Sequence, residues 1–297
     1  MIDLHLHTTY SDGADSLIDV LKKAEELKLE YISITDHDTC EGYKELEKLD
    51  VKQYYTGKII KGVEIKCAYQ KRLIEILGYN VDTEVINNYM DKFHEEYSKE
   101  KLQRKYFDIL YDRCVNILNL TLLPKEKITF DPKTDWASVT IYKEIKSHEE
   151  NKEKLPEDMW QEFNTFSKKY CGNPNYVLYI DKSQDYLSLE EAIKLVKDAG
   201  GIAFLAHVFI YKWSEDKKQL LEDIVTNYDL DGLECMHSDF TQEEIDYILG
   251  YATQKQLYKS GGSDYHGVNK PKIEMAVGKG NLKIEKTLIN DWIKLLK

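Results

Sequence analysis

Two histidines separated by a single residue, His5 and His7, lie in the opening stretch MIDLHLHTTYSDG. Apolar and polar residues alternate around them, which is the period-2 pattern of a β-strand. On a strand the two imidazoles project from the same face, with their Cα atoms about 7 Å apart. Imidazoles on one face suit zinc, iron and related ions, and Asp12 in the following turn adds a carboxylate. Alone, this stretch fits a metal site and a half-buried strand equally well.

The same positional pattern recurs along the chain. Histidine and carboxylate side chains lie within or directly after nearly every predicted strand: His5, His7, Asp12, His37, Glu64, Glu75, His207, His237, Asp264 and His266. In an α/β barrel the carboxyl ends of the strands meet on one face, where active sites are built. Polar groups there would be costly to bury unpaired, whereas shared metal ions would satisfy them together. Because no thiolate is among them, this donor set favours zinc, manganese or iron.

Strands and helices alternate in both halves of the chain. Apolar runs predict strands at 2–6, 31–35, 59–65, 73–79, 202–206, 231–236 and 257–262. Helical spacing and capping patterns predict helices after Asp15 or Ser16, from the capping boxes Ser188–Glu191 and Thr241–Glu244, and over 216–228 and 286–296. This order predicts an α/β protein with a mostly parallel, barrel-like sheet.

The middle of the chain, from about Thr83 to Asn173, has a different character. It is rich in Lys, Glu, Tyr and Asn, with one long helical pattern over 89–118 followed by a loop-like, proline-containing region. We interpret residues 85–173 as a mainly helical insertion over the active site, between barrel segments 1–84 and 174–297.

Composition limits the class of protein. Of the 297 residues, 42% are hydrophobic and 32% are charged, as in ordinary globular proteins. No run approaches the ~20 apolar residues of a membrane helix, and no secretory signal pattern opens the chain. The five cysteines form no C-x-x-C pair, which favours reduced thiols and a cytoplasmic location.

The charge balance bears on the substrate. The net charge of −12 argues against a broad surface for binding large nucleic acids. A small phosphorylated substrate remains compatible with it, because bound metal ions reverse the local field.

Five motifs in order carry a resemblance to a known family. They are His5-Leu-His7-Thr-x-x-Ser-Asp12-Gly, Thr35-Asp-His37-Asp, Gly62-Val-Glu64, Ala206-His207 and Gly262-Ser-Asp264-x-His266-Gly. Together they resemble the motif set of the PHP (polymerase and histidinol phosphatase) family, over about 1–81 and 189–297. The resemblance implies a distorted, TIM-like (β/α)7 barrel that holds two or three divalent metal ions.

The resemblance also implies which residues bind each ion. The first metal would be bound by His5, His7, Glu64 and Asp264. Glu64 would bridge to a second metal that also uses His207, and the third would be held by Asp12, His37 and His266. A bridging carboxylate has two oxygens to share, which agrees with this arrangement.

One position departs from the family pattern. Nucleotide-cleaving relatives usually have His-Ile-Leu-Gly-Tyr on the fourth strand, whereas this chain has Glu75-Ile-Leu-Gly-Tyr. As a ligand, Glu75 would add negative charge and favour manganese or iron over zinc. The alternative is that Glu75 has lost the ligand role and the second metal is weak or absent.

The predicted reaction is hydrolysis of a phosphate monoester by a metal-bridging hydroxide. We expect Asp264 and His266, or His237, to manage protons, and His237 either to contact substrate or to cap the barrel rim. Arg104, Lys105 and Arg113 of the insertion are candidates for binding phosphate, although a solvated helix face also explains them. We expect Asp36 and Asp38 to orient ligands or backbone.

The resemblance is strongest to the nucleotide phosphatase and 5′-3′ exoribonuclease branch of the family. A nucleotide, a nucleoside bisphosphate or a short 5′-phosphorylated oligonucleotide is then the predicted substrate. One alternative is a histidinol phosphatase with the same chemistry. A second is a non-catalytic metal-binding regulatory module. The sequence leaves the oligomeric state open.

Overall fold

The computed structural model describes residues 1–296. The chain divides into two compact units, a barrel unit of Met1–Asp91 with the chain from Tyr186 onward, and an inserted unit of Lys92–Asp185. The inserted unit therefore begins and ends later in the chain than the insertion over 85–173 that the sequence suggests. It begins later because the helix that begins at Thr83 contributes its first turns to the barrel unit.

Eight strands are described in the barrel unit. They are β1 (Ile2–Leu6), β2 (Tyr31–Ile34), β3 (Lys58–Tyr69), β4 (Arg72–Tyr79), β5 (Leu187–Ser188), β6 (Ile202–Leu205), β7 (Gly232–His237) and β8 (Tyr258–Gly262). The predicted apolar runs therefore form strands, with ends that shift by a few residues.

Seven of these strands form a barrel in the order β1-β2-β3-β4-β6-β7-β8, while β5 pairs with β3. Neighbouring strands are parallel except at β4, which is antiparallel to both β3 and β6. A parallel bridge between Leu6 and Tyr265 joins β1 to the chain after β8. The backbone N–H of Asp264 also donates to the carbonyl of His5 at 2.9 Å. The sheet is thus nearly closed, and the predicted distorted TIM-like barrel is confirmed.

Ten helices are described. They are α1 (Leu17–Glu26), α2 (Glu41–Leu46), α3 (Thr83–Glu96), α4 (Lys99–Asn116), α5 (Ala137–Lys146), α6 (Glu157–Gln161), α7 (Phe163–Thr165), α8 (Leu189–Asp198), α9 (Lys217–Asn227) and α10 (Gln242–Gln254). Ser16 caps α1, and the capping boxes predicted at Ser188 and Thr241 open α8 and α10. None of the helices among residues 1–296 is long and apolar enough to cross a membrane.

The inserted unit is mainly helical and has its own apolar core, which includes Phe107, Leu110, Ile141 and Phe166. The single helix predicted over 89–118 is wrong, because α3 and α4 are separate helices. Ser98 is the N-cap of α4, and its hydroxyl accepts a hydrogen bond from the backbone N–H of Lys101 at 3.5 Å. Serine favours such caps because it satisfies a backbone donor that would otherwise lack a partner.

The helix predicted over 286–296 is also wrong. The segment forms two short 3₁₀ turns, Lys286–Ile289 and Ile293–Leu295. Between them Trp292 is fully buried, and its indole N–H donates to the carbonyl of Lys259 at 2.9 Å. The ring also stacks on Tyr79 at 5.5 Å. Packing of this one large side chain therefore outweighs the helical spacing of a short segment.

Candidate metal centre

The candidate site is built on the strand ends of the barrel unit. The strands deliver His5 (β1), His7 (directly after β1), His37 (after β2), Glu64 (β3), Glu75 (β4), His207 (after β6), His237 (β7), and Asp264 and His266 (after β8), while Asp12 lies further along the loop after β1. Because β4 runs antiparallel to its neighbours, Glu75 lies near the beginning of its strand and still reaches the end where the others gather.

Glu64 lies at the centre of this set and is 1% exposed. Its Oε2 lies 3.1 Å from Nε2 of His5, 3.2 Å from Nε2 of His7 and 3.2 Å from Nδ1 of His37. Its Oε1 lies 2.9 Å from Nε2 of His207. One buried carboxylate therefore contacts four imidazoles, three through Oε2 and the fourth, that of His207, through Oε1.

Glu75 extends the second group. Its Oε2 lies 3.3 Å from Nε2 of His207, and its Oε1 lies 3.4 Å from Nζ of Lys66. Lys66 is the direct partner of Glu75 in the β3–β4 register, so the ion pair forms across the hairpin. The extra negative charge of Glu75 is thus matched by a cation on the neighbouring strand.

Asp12 organises the opposite side of the site. Its Oδ1 lies 3.0 Å from Nε2 of His266, and its Oδ2 lies 3.7 Å from Nε2 of His37. The ring of His7 stacks on that of His266 with 4.0 Å between their centroids. This side therefore combines one carboxylate with imidazoles from three strand ends.

Asp264 turns its two oxygens to different neighbours. Oδ1 lies 3.6 Å from Nε2 of His5 and 3.4 Å from Nε2 of His7. Oδ2 lies 2.6 Å from Nζ of Lys270 and 3.4 Å from Nε2 of His237. The backbone of Asp264 is left-handed, with φ of 59°, which non-glycine residues adopt mainly where the surrounding structure holds them.

Four groups of side chains could each hold a metal ion, because one donor atom from every member lies within 4.8 Å of the others. They are His7, Asp12, His37 and His266; His5, His7 and Asp264; His5, Glu64 and His207; and His37, Glu64 and Glu75. Five buried ring nitrogens in these groups make no hydrogen bond of good geometry with the described residues: Nε2 of His5, His7 and His266, and Nδ1 of His37 and His207. Buried nitrogens without a well-aligned partner are costly even where a carboxylate lies near, whereas an imidazole lone pair is a good metal ligand. The residues present therefore fit a divalent metal centre.

The protonation of the site in the absence of metal follows from its carboxylates. Burial disfavours the charged ring of His7, but Asp264 and Glu64 outweigh burial and raise its pKa to about 9. Burial also opposes charge on His207, yet Glu64 raises its pKa to about 9. Burial lowers the pKa of His37 to about 4, so this ring is neutral near pH 7. Metal ions would replace protons between Glu64 and its imidazole neighbours.

Comparison with known proteins identifies the family. A model of the PHP domain matches residues 3–266. The chain belongs to the PHP family. Its membership makes it a metal-dependent phosphoesterase, a hydrolase of phosphoric ester bonds.

Several relatives align over most of their length. A phosphoribosyl 1,2-cyclic phosphate 1,2-diphosphodiesterase of Eggerthella lenta is 26% identical, over 89% of this chain and 94% of that protein. The 5′-3′ exoribonuclease Rnm of Escherichia coli is 25% identical, over 89% and 84%. A 3′,5′-nucleoside bisphosphate phosphatase of Chromobacterium violaceum is 23% identical, over 89% and 87%. An amidohydrolase structure from Chromobacterium violaceum has a TM-score of 0.62 at 19% identity, over 99% of this chain and 95% of that chain, which supports the fold.

Glu234 is a site residue that the sequence patterns missed. It is fully buried on β7, where its Oε1 accepts from Nδ1 of His5 at 2.8 Å and its Oε2 accepts from the backbone N–H of His207 at 2.8 Å. Strict alternation would place Glu234 and His237 on opposite faces of β7. A register irregularity between Glu234 and Met236 lets both side chains reach the site. The sequence did contain one signal for this residue, a glutamate inside an otherwise apolar strand pattern.

Three carboxylates hold the backbone around the ligands. Asp3 accepts from the backbone N–H and hydroxyl of Ser263, at 2.8 and 2.6 Å, and so fixes the segment that carries Asp264. Asp36 accepts from the hydroxyl of Ser11, which in turn lies 3.4 Å from Nδ1 of His7. Asp38 accepts from the backbone N–H of Lys66 at 2.9 Å. The contacts of Asp36 and Asp38 are of the orienting kind that the sequence led us to expect.

The insertion residues predicted to bind phosphate lie outside the barrel unit. Nζ of Lys105 lies 2.6 Å from Asp185, and the guanidinium of Arg113 donates to the carbonyl of Tyr179, both within the inserted unit. Arg104 is exposed. Their contact with substrate, and the location of the insertion over the site, stay predictions.

Proposed function

We propose that this protein hydrolyses a phosphate monoester of a nucleotide, a nucleoside bisphosphate or a short 5′-phosphorylated oligonucleotide. The buried Glu64 carboxylate carries the proposal, because its Oε2 contacts the imidazoles of His5 and His7 while its Oε1 contacts that of His207. That is the arrangement expected of a carboxylate shared by two metal ions. The relatives act on a cyclic phosphate, an RNA and a nucleoside bisphosphate according to their names, which supports a nucleotide-related substrate.

We assign the metals to the residues that the family resemblance implies, with Glu75 added. A first ion would be held by His5, His7, Glu64 and Asp264, a second by Glu64, His207 and Glu75, and a third by Asp12, His37 and His266. The short distances among these side chains support the assignment. Bound divalent ions would supply a hydroxide near neutral pH and neutralise charge on the phosphoryl oxygens. The added carboxylate of Glu75 favours manganese or iron over zinc.

His237 is the side chain that we place beside the leaving group. The backbone N–H of Asp239 donates to its Nδ1 at 3.1 Å, so the neutral ring carries its proton on Nε2. That Nε2 lies 3.4 Å from Asp264, inside the site. His237 would therefore donate a hydrogen bond from Nε2 to the oxygen of the leaving group and stabilise the negative charge that develops there. By contrast, Nδ1 of His266 donates to the carbonyl of Asp264 at 2.9 Å and leaves Nε2 toward Asp12, which supports a ligand role for His266.

The proposal also covers the contacts with the substrate phosphate and the cellular location of the protein. We assign phosphate contacts in the inserted unit to Arg104, Lys105 and Arg113, as the sequence suggests. We place the protein in the cytoplasm, because its five cysteines are all buried and free.

The experiment measures release of inorganic phosphate, and of mononucleotide from the RNA, by manganese-loaded protein across a substrate panel. The panel contains adenosine 3′,5′-bisphosphate, AMP, a 5′-phosphorylated short RNA and histidinol phosphate, with His7→Ala as the inactive control. Selective turnover of one nucleotide substrate, lost in His7→Ala, supports the proposal. Preference for histidinol phosphate would favour the alternative that the protein is a histidinol phosphatase. Bound manganese without any turnover would favour a regulatory module.

A further inference from the structure

We infer that Lys270 is a phosphate-binding residue of this site, whose ammonium contacts a phosphoryl oxygen of the substrate. The inference deepens the proposed function and rests on it for the identity of the substrate. Lys270 belongs to none of the ligand groups of the centre, and it lies in the barrel unit together with them.

Lys270 lies next to the metal ligands because the two carboxylate oxygens of Asp264 contact different groups. Oδ1 faces the histidines of the first metal, whereas Oδ2 lies 2.6 Å from Nζ of Lys270. His237 approaches the same Oδ2 at 3.4 Å. The ammonium of Lys270 and the Nε2–H of His237 are therefore neighbours on the side of Asp264 that faces away from the ligand imidazoles.

The side chain is accessible to a ligand from solvent. It is 39% exposed, whereas the side chain of Asp264 that it contacts is 6% exposed. An ammonium has three N–H donors, and one is directed at Asp264. Among residues 1–296 no second hydrogen-bond acceptor for Lys270 is found, so two donors are available to an incoming anion.

The backbone around Lys270 is anchored. Its N–H donates to the carbonyl of Gly267 at 3.1 Å, and its own carbonyl accepts from Ile273 at 2.9 Å. The preceding Asn269 donates from its amide to the carbonyl of Asp12 at 2.8 Å. The segment that carries Lys270 is thus tied to the loop that carries another metal ligand.

Charge explains why a phosphate would need this cation. Asp12, Glu64, Glu75, Asp264 and Glu234 bring five carboxylates to the site of an already acidic chain. Binding of a metal ion through Oδ1 would draw charge from Asp264 and weaken its attraction for Lys270. The ammonium would then interact with the substrate as a point charge, as lysines do in other phosphate sites.

A purely positioning role for Lys270 makes a different prediction. If the ammonium only oriented Asp264, its removal would lower metal content and kcat together. A phosphate contact would instead leave metal content intact and weaken phosphate binding and KM.

The test compares Lys270→Met and Lys270→Arg with Lys272→Met, a matched control on an exposed lysine two residues away. For manganese-loaded proteins, metal content is measured by elemental analysis and binding of inorganic phosphate by calorimetry. Lys270→Met should keep its manganese and bind phosphate about ten- to a hundredfold more weakly, because a charge-assisted hydrogen bond is lost. Lys270→Arg should recover part of this affinity, and Lys272→Met should match wild type.

Three results would overturn the inference: unchanged phosphate affinity in Lys270→Met, loss of its manganese together with its phosphate binding, or no phosphate binding by the wild type. Turnover is measured in parallel on adenosine 3′,5′-bisphosphate, where the KM of Lys270→Met should rise by a similar factor. A wild type that binds phosphate but turns over no substrate would contradict the proposed function. The phosphate affinities of wild type and the Lys270 variants would still decide the role of Lys270.

Discussion

Nδ1 of His5 lies 2.8 Å from Oε1 of Glu234, and both side chains are fully buried. The glutamate accepts a hydrogen bond from the Nδ1–H of His5, which leaves Nε2 of His5 directed toward Glu64 and Asp264. Such a partner fixes the tautomer and raises the basicity of a ligating histidine. The relationship makes Glu234 a positioning residue for the metal centre.

Glu234→Gln should therefore weaken manganese binding about 10- to 100-fold. The variant removes the negative charge beside His5 and turns an amide N–H₂ toward one of two donors, Nδ1 of His5 or the backbone N–H of His207. Manganese titration by calorimetry measures the effect, and Glu190→Gln, on an exposed glutamate of α8, is the control. Wild-type affinity in Glu234→Gln would show that the hydrogen bond has no role in the centre.

Glu75 is predicted to be a ligand in spite of its departure from the family pattern. Glu75→Ala should lose about one equivalent of manganese and at least tenfold in kcat, because His207 and Glu64 alone would hold the second ion poorly. Glu75→His should keep the metal, and Lys66→Met should keep it as well, since Lys66 contacts only the outer oxygen of Glu75. Elemental analysis after dialysis gives the stoichiometry. Full metal content and activity in Glu75→Ala would remove Glu75 from the ligand set.

His237→Phe should lower kcat by about 10²–10³-fold, the usual effect of removing one hydrogen-bond donor to a developing oxyanion, with manganese content unchanged. The loss should be smaller for a substrate with an activated leaving group such as p-nitrophenol, whose oxyanion needs less stabilisation. His94→Phe, on an exposed histidine of α3, serves as the matched control. An equal loss on both kinds of substrate would contradict a role in stabilising the leaving group.

Two buried thiols in the inserted unit give a prediction for stability against pH. Burial raises the pKa of Cys114 and of Cys171 to about 12. An unfolded thiol ionises near pH 8.5, so the folded state is favoured below that pH and loses the advantage as pH rises toward 12. At pH 10 the cost is about 2 kcal/mol for each thiol.

Urea unfolding at pH 8 and pH 10 measures this cost. The midpoint should fall at the higher pH, and the fall should be smaller in the double variant Cys114→Ala/Cys171→Ala, whatever its absolute stability. The same fall in both proteins would exclude the thiols as its cause.

Much of the barrel could be predicted from sequence because its signals are local. The alternation around His5 and His7 marks β1, and the capping boxes at Ser188 and Thr241 mark the starts of α8 and α10. Apolar runs that end in a histidine or carboxylate were enough to name ten residues that the fold brings together.

The rest depends on tertiary contacts that no local pattern contains. The irregularity in β7 that turns both Glu234 and His237 to the site arises from its pairing with β8. The C-terminal segment follows the packing of Trp292 rather than its helical spacing. The break between α3 and α4 was present in the sequence as the cap Ser98, but the longer helical pattern obscured it.

The most direct test of the account is a comparison of Glu64→Gln with wild type. Manganese stoichiometry is measured together with release of phosphate or mononucleotide from adenosine 3′,5′-bisphosphate, AMP and a 5′-phosphorylated short RNA, with Glu243→Gln, on an exposed glutamate, as control. We predict that wild type and the control bind two or three ions and turn over at least one substrate, and that Glu64→Gln loses at least one ion and about a thousandfold in rate. A Glu64→Gln protein that kept both its manganese and its rate would contradict the central claim that this carboxylate joins the metal sites that hydrolyse the phosphoester.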